Sequence, residues 1–309
     1  MPLKLTVVSR GEPMRGLPLE LGLPDSSSLA TLKESVAQMV PRLTIERQRI
    51  TTENKTPLIG DEKGLIELGV QTGDRLYVKD LGPQIGWRTV FLVEYAGPLI
   101  IHPIVYFAAP YIWAHFGRPF AMSHVQTTTL VLVLLHFIKR EAESIWVHRF
   151  SNGTMPLFNI FKNSTHYWGL AGLLLAFSIY SPSLGAAAVA GTLRDNTTFI
   201  VSVVAAWAAA ELLNLQSHLI LMNLRPKGTR VRKIPHGSAF ELVSCPNYFF
   251  EVLSWVAVTV LTFSFSSLFF TIVSAAQMTL WAIKKHQAYR REFGDAYPKS
   301  RRVMYPFIF

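Results

Sequence analysis

Only one cysteine, Cys245, occurs in 309 residues. The chain therefore cannot close an intrachain disulfide, and nothing points to an oxidising compartment for its soluble part. Charge is also scarce: 16% of residues are Asp, Glu, Lys or Arg, against roughly 25% in soluble domains. The opening MPLKLTVVSR lacks the long apolar core of a signal peptide. No Gly-x-Gly-x-x-Gly or phosphate-loop motif occurs, so a nucleotide is not held in the Rossmann manner. No His-x-x-x-His or Cys-rich spacing occurs either, and the sequence offers no metal site.

What is abundant is apolar: half of all residues, with formal charge +10. Residues 1–80 hold eleven basic and eleven acidic side chains, so the whole excess falls in 81–309. There the basic residues flank apolar runs instead of striping a soluble face. That pattern fits loops beside an anionic leaflet and argues against nucleic acid as a partner.

Residues 1–80 read as a small soluble domain. Leu3, Leu5 and Val7 alternate, GEPMRG offers a turn, and Leu17, Leu19 and Leu21 alternate again, which predicts a hairpin. After PDSSS, where Asp25 or a serine can cap, Leu29, Leu32, Val36 and Met39 recur at helical spacing until Pro41. Strands near 49–51 and 75–79 complete the order strand, strand, helix, strand, strand. This order, with GLIELGVQTGDRLYVKDL, resembles the ubiquitin-like β-grasp fold. No di-glycine follows the resembling segment, so a docking or regulatory cap is the expectation and conjugation is not.

Residues 81–309 read as a multi-pass α-helical membrane bundle. Runs of roughly 20 apolar residues are needed per span, and candidates are 89–113, 121–140, 166–184, 197–222, 248–263 and 265–283. The last two are split near FSFSS, because one helix over 248–283 would be about 54 Å long. Basic residues concentrate in alternate loops and in the tail, while the other loops hold only Arg118 and Arg194. Six spans with both termini cytosolic satisfy the positive-inside rule. Of the sites at Asn54, Asn152, Asn163 and Asn196 that fit the glycosylation pattern, only Asn196 would then face the lumen.

Several polar residues interrupt the apolar runs, and such groups usually face a cavity or a partner. Glu94 and His102 lie in the first span, and His136 and Arg140 stand one turn apart in the second. Glu211, Asn214 and His218 share one face of the fourth, continued by Arg225. Asn247 and Glu251 stand one turn apart in the fifth, beside Tyr248. Each alone is ordinary interhelical glue. Four spans with polar groups at similar depth predict a pocket open to the cytosol. The loop RPKGTRVRK, which includes Arg225, Arg232 and Lys233, and the segment KKHQAYRR at 284–291 are the places for a phosphate-rich ligand.

The segment RKIPHGSAFELVSCPNYFFEVLSW, with EFGDAYPKSRRVMYPFIF, DLGPQIGW and FLVEYAGP, resembles the trans-2-enoyl-CoA reductases of endoplasmic-reticulum fatty-acid elongation, members of the steroid 5α-reductase family. The resemblance runs essentially end to end and includes a ubiquitin-like N-terminal domain. It implies NADPH-dependent reduction of the 2,3 double bond of long and very-long-chain trans-2-enoyl-CoA, with hydride to C3 and a proton to C2. It further implies an endoplasmic-reticulum membrane location and other elongation enzymes as neighbours. Matched by position, Tyr248 of CPNY is the proton donor, Gln84 of DLGPQIGW an essential glutamine, and Glu94 the carboxyl that polarises the substrate carbonyl. Asn214, Arg225, Arg232, Asn247, Glu251 and Tyr289 match cofactor-pocket positions, and Lys233 closes the basic loop beside them. Phe137 stands where the steroid reductases carry a catalytic tyrosine, and His218 replaces an aspartate of the cofactor pocket.

A neutral phenol is protonated at pH 7 and ready to donate, and a donor aimed at a developing enolate in a dry pocket stabilises it strongly. Glu94 can help only when protonated or when it positions a donor. Rival readings are a membrane methyltransferase using S-adenosylmethionine, whose turn carries Arg-His-Pro where this chain has Ser-Cys-Pro, and a non-enzymatic scaffold with a docking cap. A transporter would call for an internal repeat, and none is evident in the six spans.

Overall fold

The computed structural model describes residues 2–149, 153–224 and 233–309. It consists of two compact units, Met1–Trp87 with Asn152–Ile160, and Arg88–Ser151 with Phe161–Phe309.

In the first unit β1 (Leu3–Ser9), β2 (Leu19–Leu23), β3 (Gln48–Thr51) and β4 (Arg75–Asp80) form a sheet in the order β2-β1-β4-β3. The outer pairs are antiparallel and the central β1–β4 pair is parallel. A parallel pair needs a crossover, and the connection contains α1 (Leu29–Met39). The Ser28 hydroxyl caps that helix by accepting the Thr31 N–H at 3.2 Å. Leu29, Leu32 and Val36 then bury against the sheet beside Leu5 and Val7. Met39 lies on the same stripe by spacing yet is exposed, because Val40, just past the helix end, takes the inward place. The second strand begins at Leu19 instead of Leu17, since Pro18 has no N–H for the ladder. Gly73 enters β4 with φ +95°, where a side chain would be strained, and its N–H donates to Lys4 O at 2.7 Å. On the surface Arg47 grips both Asp80 oxygens, at 2.9 and 2.6 Å. That hydrogen bond holds the Asp80 carboxyl below the usual aspartate value. A two-stranded ladder of β5 (Gln84–Gly86) and β6 (Thr154–Pro156) completes this unit.

The second unit is helical: α2 (Trp87–His115), α3 (His124–Ala142), α4 (Asn159–Ser164), α5 (Leu175–Ile179), α6 (Ala186–Val189), α7 (Thr197–Leu224), α8 (Pro246–Thr262) and α9 (Phe265–Phe293). Three segments are long and apolar enough to cross a membrane: Trp87–His115, Thr197–Leu224 and Phe265–Ala296. α3 is shorter and carries Lys139 and Arg140 in its last turn, and α8 has 17 residues. The expected run at 166–184 is helical only as far as Ile179 and is not α throughout: a π-helical stretch, Thr165–Leu174, passes into α5, which ends ahead of Pro182. A second π-helical turn, Glu143–Val147, extends α3. Such turns recur at functional sites.

α2 stays continuous through Pro98, Pro103 and Pro110. A Cβ on its Gly97 would stand 2.6 Å from the Trp168 ring, so the glycine is what admits that indole, whose Nε1–H donates to Val93 O at 2.8 Å. Ser123 and Gln126 form a capping box at the start of α3. The same Gln126 amide then donates to Ile179 O and Ser181 O, tying the end of α5 to α3. α8 starts with Pro246 in its first turn, where the missing N–H costs nothing. It ends at Phe263 in the left-handed region (φ 47°), which separates α8 from α9 at the predicted break. Outside, Phe107, Tyr111, Phe116 and Phe265 stand exposed, an apolar exterior suited to lipid.

Candidate active site

The charged interior of the helical unit is built from α3, the π turn after it, α7 and α8. His136 sits between two carboxylates, with Nδ1 2.7 Å from Glu211 Oε1 and Nε2 3.3 Å from Glu251 Oε1. One turn on, Lys139 reaches Glu211 Oε2 at 2.6 Å and donates to Asn214 Oδ1 at 2.5 Å. Arg140 pairs with Glu143 Oε2 at 2.5 Å, and its other terminal nitrogen donates to the Tyr95 hydroxyl at 2.9 Å. Glu143 also meets His218 Nδ1 at 2.9 Å, and the His148 ring stands edge-on to His218. Burial alone would raise the Glu143 carboxyl, but the His218 hydrogen bond and the Arg140 charge overcome it and hold the carboxyl below its ordinary value. Asn214 closes the set from α7, its Nδ2 donating to Asn247 O at 2.8 Å and to Glu251 Oε2 at 3.1 Å.

The spacing reasoning thus finds its partners. Asn214, His218, Asn247 and Glu251, with His136, Arg140 and Glu211, come from three helices into one network. Asn247 keeps its side-chain oxygen buried and without a hydrogen-bond partner, an arrangement that calls for a missing ligand or water. Its neighbour Tyr248 is half-buried in the first turn of α8, beside Trp281, and its hydroxyl has no hydrogen bond among the described residues. Glu94 is buried on α2 with Oε1 likewise unpartnered, and the Asn163 side chain reaches its carboxyl. Phe137 packs among Tyr95, Tyr167 and Trp255 and brings no hydroxyl.

Other predicted residues lie elsewhere. Tyr289 is buried on α9 and stacks on Tyr297. Lys233 is exposed, and Arg225 and Arg232 fall outside the described residues. Gln84 belongs to the sheet unit, where its Nε2 donates to Leu81 O and Gly82 O and its Oε1 accepts from Thr154 at 3.3 Å. Sequence reasoning missed Tyr95, Lys139, Glu143 and His148. Lys139 and Arg140 stand four and three residues before Glu143, a readable helical pairing; Tyr95 and His148 carry no such signal. Glu143, His148 and His218 bring one donor atom each within 4.8 Å of one another, a grouping that no sequence spacing announced. Arg140 already occupies one Glu143 oxygen there, and its cationic guanidinium opposes a metal ion at that point.

A helical, membrane-type chain with a charged, hydrogen-bonded interior and unspent polar groups beside it is the arrangement of a membrane enzyme site. Residues 153–309 match the family model described as 3-oxo-5-alpha-steroid 4-dehydrogenase, and the chain belongs to this steroid 5α-reductase family. Its relatives include a Schizosaccharomyces pombe protein provisionally named an enoyl reductase, 45% identical over 99% of this chain and 100% of its own length. The Dictyostelium discoideum very-long-chain enoyl-CoA reductase is 41% identical over 92% of both chains. A human trans-2,3-enoyl-CoA reductase-like protein is 30% identical over 92% of this chain and 77% of its own.

Proposed function

We propose that the chain is an NADPH-dependent reductase of long and very-long-chain trans-2-enoyl-CoA, acting as the last step of fatty-acid elongation in the endoplasmic-reticulum membrane beside other elongation enzymes. The observation that carries the reading is the Asn247–Tyr248 pair: a buried amide oxygen and a phenol, neither with a hydrogen-bond partner among the described residues, next to a network in which Asn214 and Glu251 are fully engaged. The relatives' names give the substrate class, and they lend nothing to a methyltransferase.

NADPH, when bound, supplies the hydride for C3 of the enoyl thioester. The protein does the rest. Asn247 presents an amide whose unspent oxygen suits a carboxamide N–H, and Asn214 fixes that turn through the Asn247 carbonyl. Tyr248 donates the proton to C2, so the saturated acyl-CoA leaves with one hydrogen added at each carbon. Glu94, buried with its Oε1 unpartnered, is the candidate for holding the thioester carbonyl, a task a carboxyl performs only when protonated. Gln84 remains a candidate catalytic residue on the family resemblance alone. The basic loop with Arg225, Arg232 and Lys233 suits the 2′-phosphate that separates NADPH from NADH.

The same reading takes the sheet unit as a β-grasp cap, supported by its parallel central pair and single crossover helix. It places six spans in the membrane with both termini cytosolic, α3, the 165–179 region and α8 adding to the three long apolar helices. The test is oxidation of NADPH, and of NADH in parallel, by purified full-length protein across enoyl-CoA chain lengths. Tyr248→Phe is expected to lower turnover by about 10²–10⁴-fold with the protein still folded. Absence of turnover at every chain length overturns the reading.

A further inference from the structure

Residues 1–80 balance acids against bases, yet the two faces of the sheet unit differ in sign. Alternation along each strand sends one set of side chains into the core under α1 and the other out of the open face. Outward on that face stand Lys4 of β1, Arg49 of β3, and Arg75 and Lys79 of β4, all exposed. The register sets Arg49 directly opposite Lys79 and Arg75 beside Thr6, so the cations lie on three adjacent strands. Arg10, just past β1, covers the Tyr77 ring at 4.3 Å and donates to Thr52 O at 2.7 Å. Glu20, which accepts from the Thr6 hydroxyl at 3.3 Å, is the one carboxylate at an outward strand position. None of Lys4, Arg49, Arg75 and Lys79 makes an ion pair among the described residues. Acids gather on the opposite side. Segment 61–67 is tied to the start of α1, with the Ala30 N–H donating to Asp61 O at 2.8 Å and the Leu29 N–H to Lys63 O at 3.0 Å. There Asp61 and Glu67 hold Lys33 and Lys63 at 2.7 and 3.2 Å, and Glu34 and Glu62 stand exposed.

Like charges directly opposite on neighbouring strands destabilise a sheet, and a surface of one sign favours a partner of the other. The large apolar side chains exposed on residues 1–80, Met39, Ile59 and Ile66, all lie off the strands, so the face lacks the apolar anchor around which a protein interface is built. Cations spread over a sheet face without such an anchor suit a surface of many small anions. Only Leu81–Gly86 separate β4 from α2, a helix long and apolar enough to cross a membrane, and that length of chain reaches at most about 20 Å. A bilayer crossed by α2 is thus always within reach of the sheet. We propose that the open face of the sheet docks on the anionic headgroups of the membrane to which the chain is tethered. Each basic side chain brought near such a surface shifts the docking equilibrium about fivefold, and the acids beside α1 orient the unit by facing away. The proposal stands apart from the reaction and holds whatever the helical unit reduces.

The test uses full-length protein in nanodiscs of phosphatidylcholine alone, or of phosphatidylcholine and phosphatidylserine in equal parts, each with a trace of lipid carrying a nitroxide quencher on its headgroup. Both leaflets of a nanodisc have one composition, so the result does not depend on which side the sheet unit occupies. A fluorophore is attached at Gly22→Cys, an exposed position opposite Lys4 where a Cβ meets nothing within 4 Å, or at Glu34→Cys on the far side of the unit. The native thiol, Cys245, is buried. With phosphatidylserine present, quenching at position 22 is expected to exceed that at position 34 severalfold. The excess disappears in phosphatidylcholine alone, in high salt, and in the triple variant Lys4→Glu, Arg75→Glu, Lys79→Glu, whose folding is checked by unchanged amide exchange in β1 and β4. Equal quenching at the two positions, an excess at position 34, or an excess at position 22 indifferent to both lipid charge and salt overturns the proposal. Equal quenching would leave the basic face to an acidic protein partner instead.

Discussion

Leu5, Val7 and Leu32 of the sheet unit are at or below 1% exposure, while its Arg47–Asp80 ion pair keeps about a quarter of each side chain in water. In the helical unit Glu94, His136, Glu143 and Asn214 are at or below 3%, while Phe107, Tyr111 and Phe265 stand 67–80% exposed. The same polypeptide thus hides an apolar core in each half, and in the helical half charged groups as well. The difference follows from the surroundings each half is built for. In water, burying apolar area stabilises at about 25 cal/mol per Å²; in lipid that gain vanishes between helices, and packing and polar contacts hold the bundle. A buried charge is tolerated only when paired, and the interior accordingly sets Lys139, Arg140 and His136 against Glu143, Glu211 and Glu251.

The contrast can be broken most sharply at Glu143. Glu143→Ala leaves Arg140 and His218 facing each other without the carboxylate between them, and a loss of about 3–5 kcal/mol is expected, read by chemical unfolding of the full chain in detergent. A loss below about 1 kcal/mol would mean that the ion pairs are incidental to the helical unit. On the other side Leu32→Ala removes apolar volume from the core under α1, with an expected cost of about 2–5 kcal/mol. Amide exchange in β1 and β4 should rise while exchange in α7 and α8 does not. Loss of protection in both units together would make them one cooperative body and end the comparison.

The smallest effect expected is at the surface pair. Arg47 holds the Asp80 carboxyl below its ordinary value of 3.8, so the contribution is complete above that value and disappears as pH falls through the lower folded one. For a pair this exposed, less than about 1 kcal/mol is at stake. Asp80→Asn should therefore flatten the acid limb of β4 exchange protection slightly, with no change at pH 7 beyond that amount. A rise in protection on acidification would reverse the assigned sign.

Much of this was legible in the sequence because periodicity encodes which face is buried. The alternation of Leu3, Leu5 and Val7 and the stripe Leu29, Leu32 and Val36 became the sheet core, and FSFSS marked the α8–α9 break. The stripe Glu211, Asn214 and His218 likewise announced an interior face. Less legible was whatever depends on contacts far apart in the chain. Tyr95 meets Arg140 across 45 residues, and His148 meets His218 across a longer gap; no local spacing carries either. The π-helical interruption at Thr165–Leu174 was invisible too, because its composition is as apolar as that of a continuous span. Lys139 escapes notice for a related reason: a lysine at a helix end usually reaches outward to solvent, and here it turns inward to Glu211.

Ser244 accounts for one last property. Its single hydroxyl meets His286 Nδ1 and Tyr297, and its N–H donates to Arg302 O at 2.9 Å. Those contacts fasten the final stretch of the polypeptide to the residues immediately ahead of Pro246, four positions before Tyr248. The carboxyl end therefore works as a buckle on the very turn that presents the phenol.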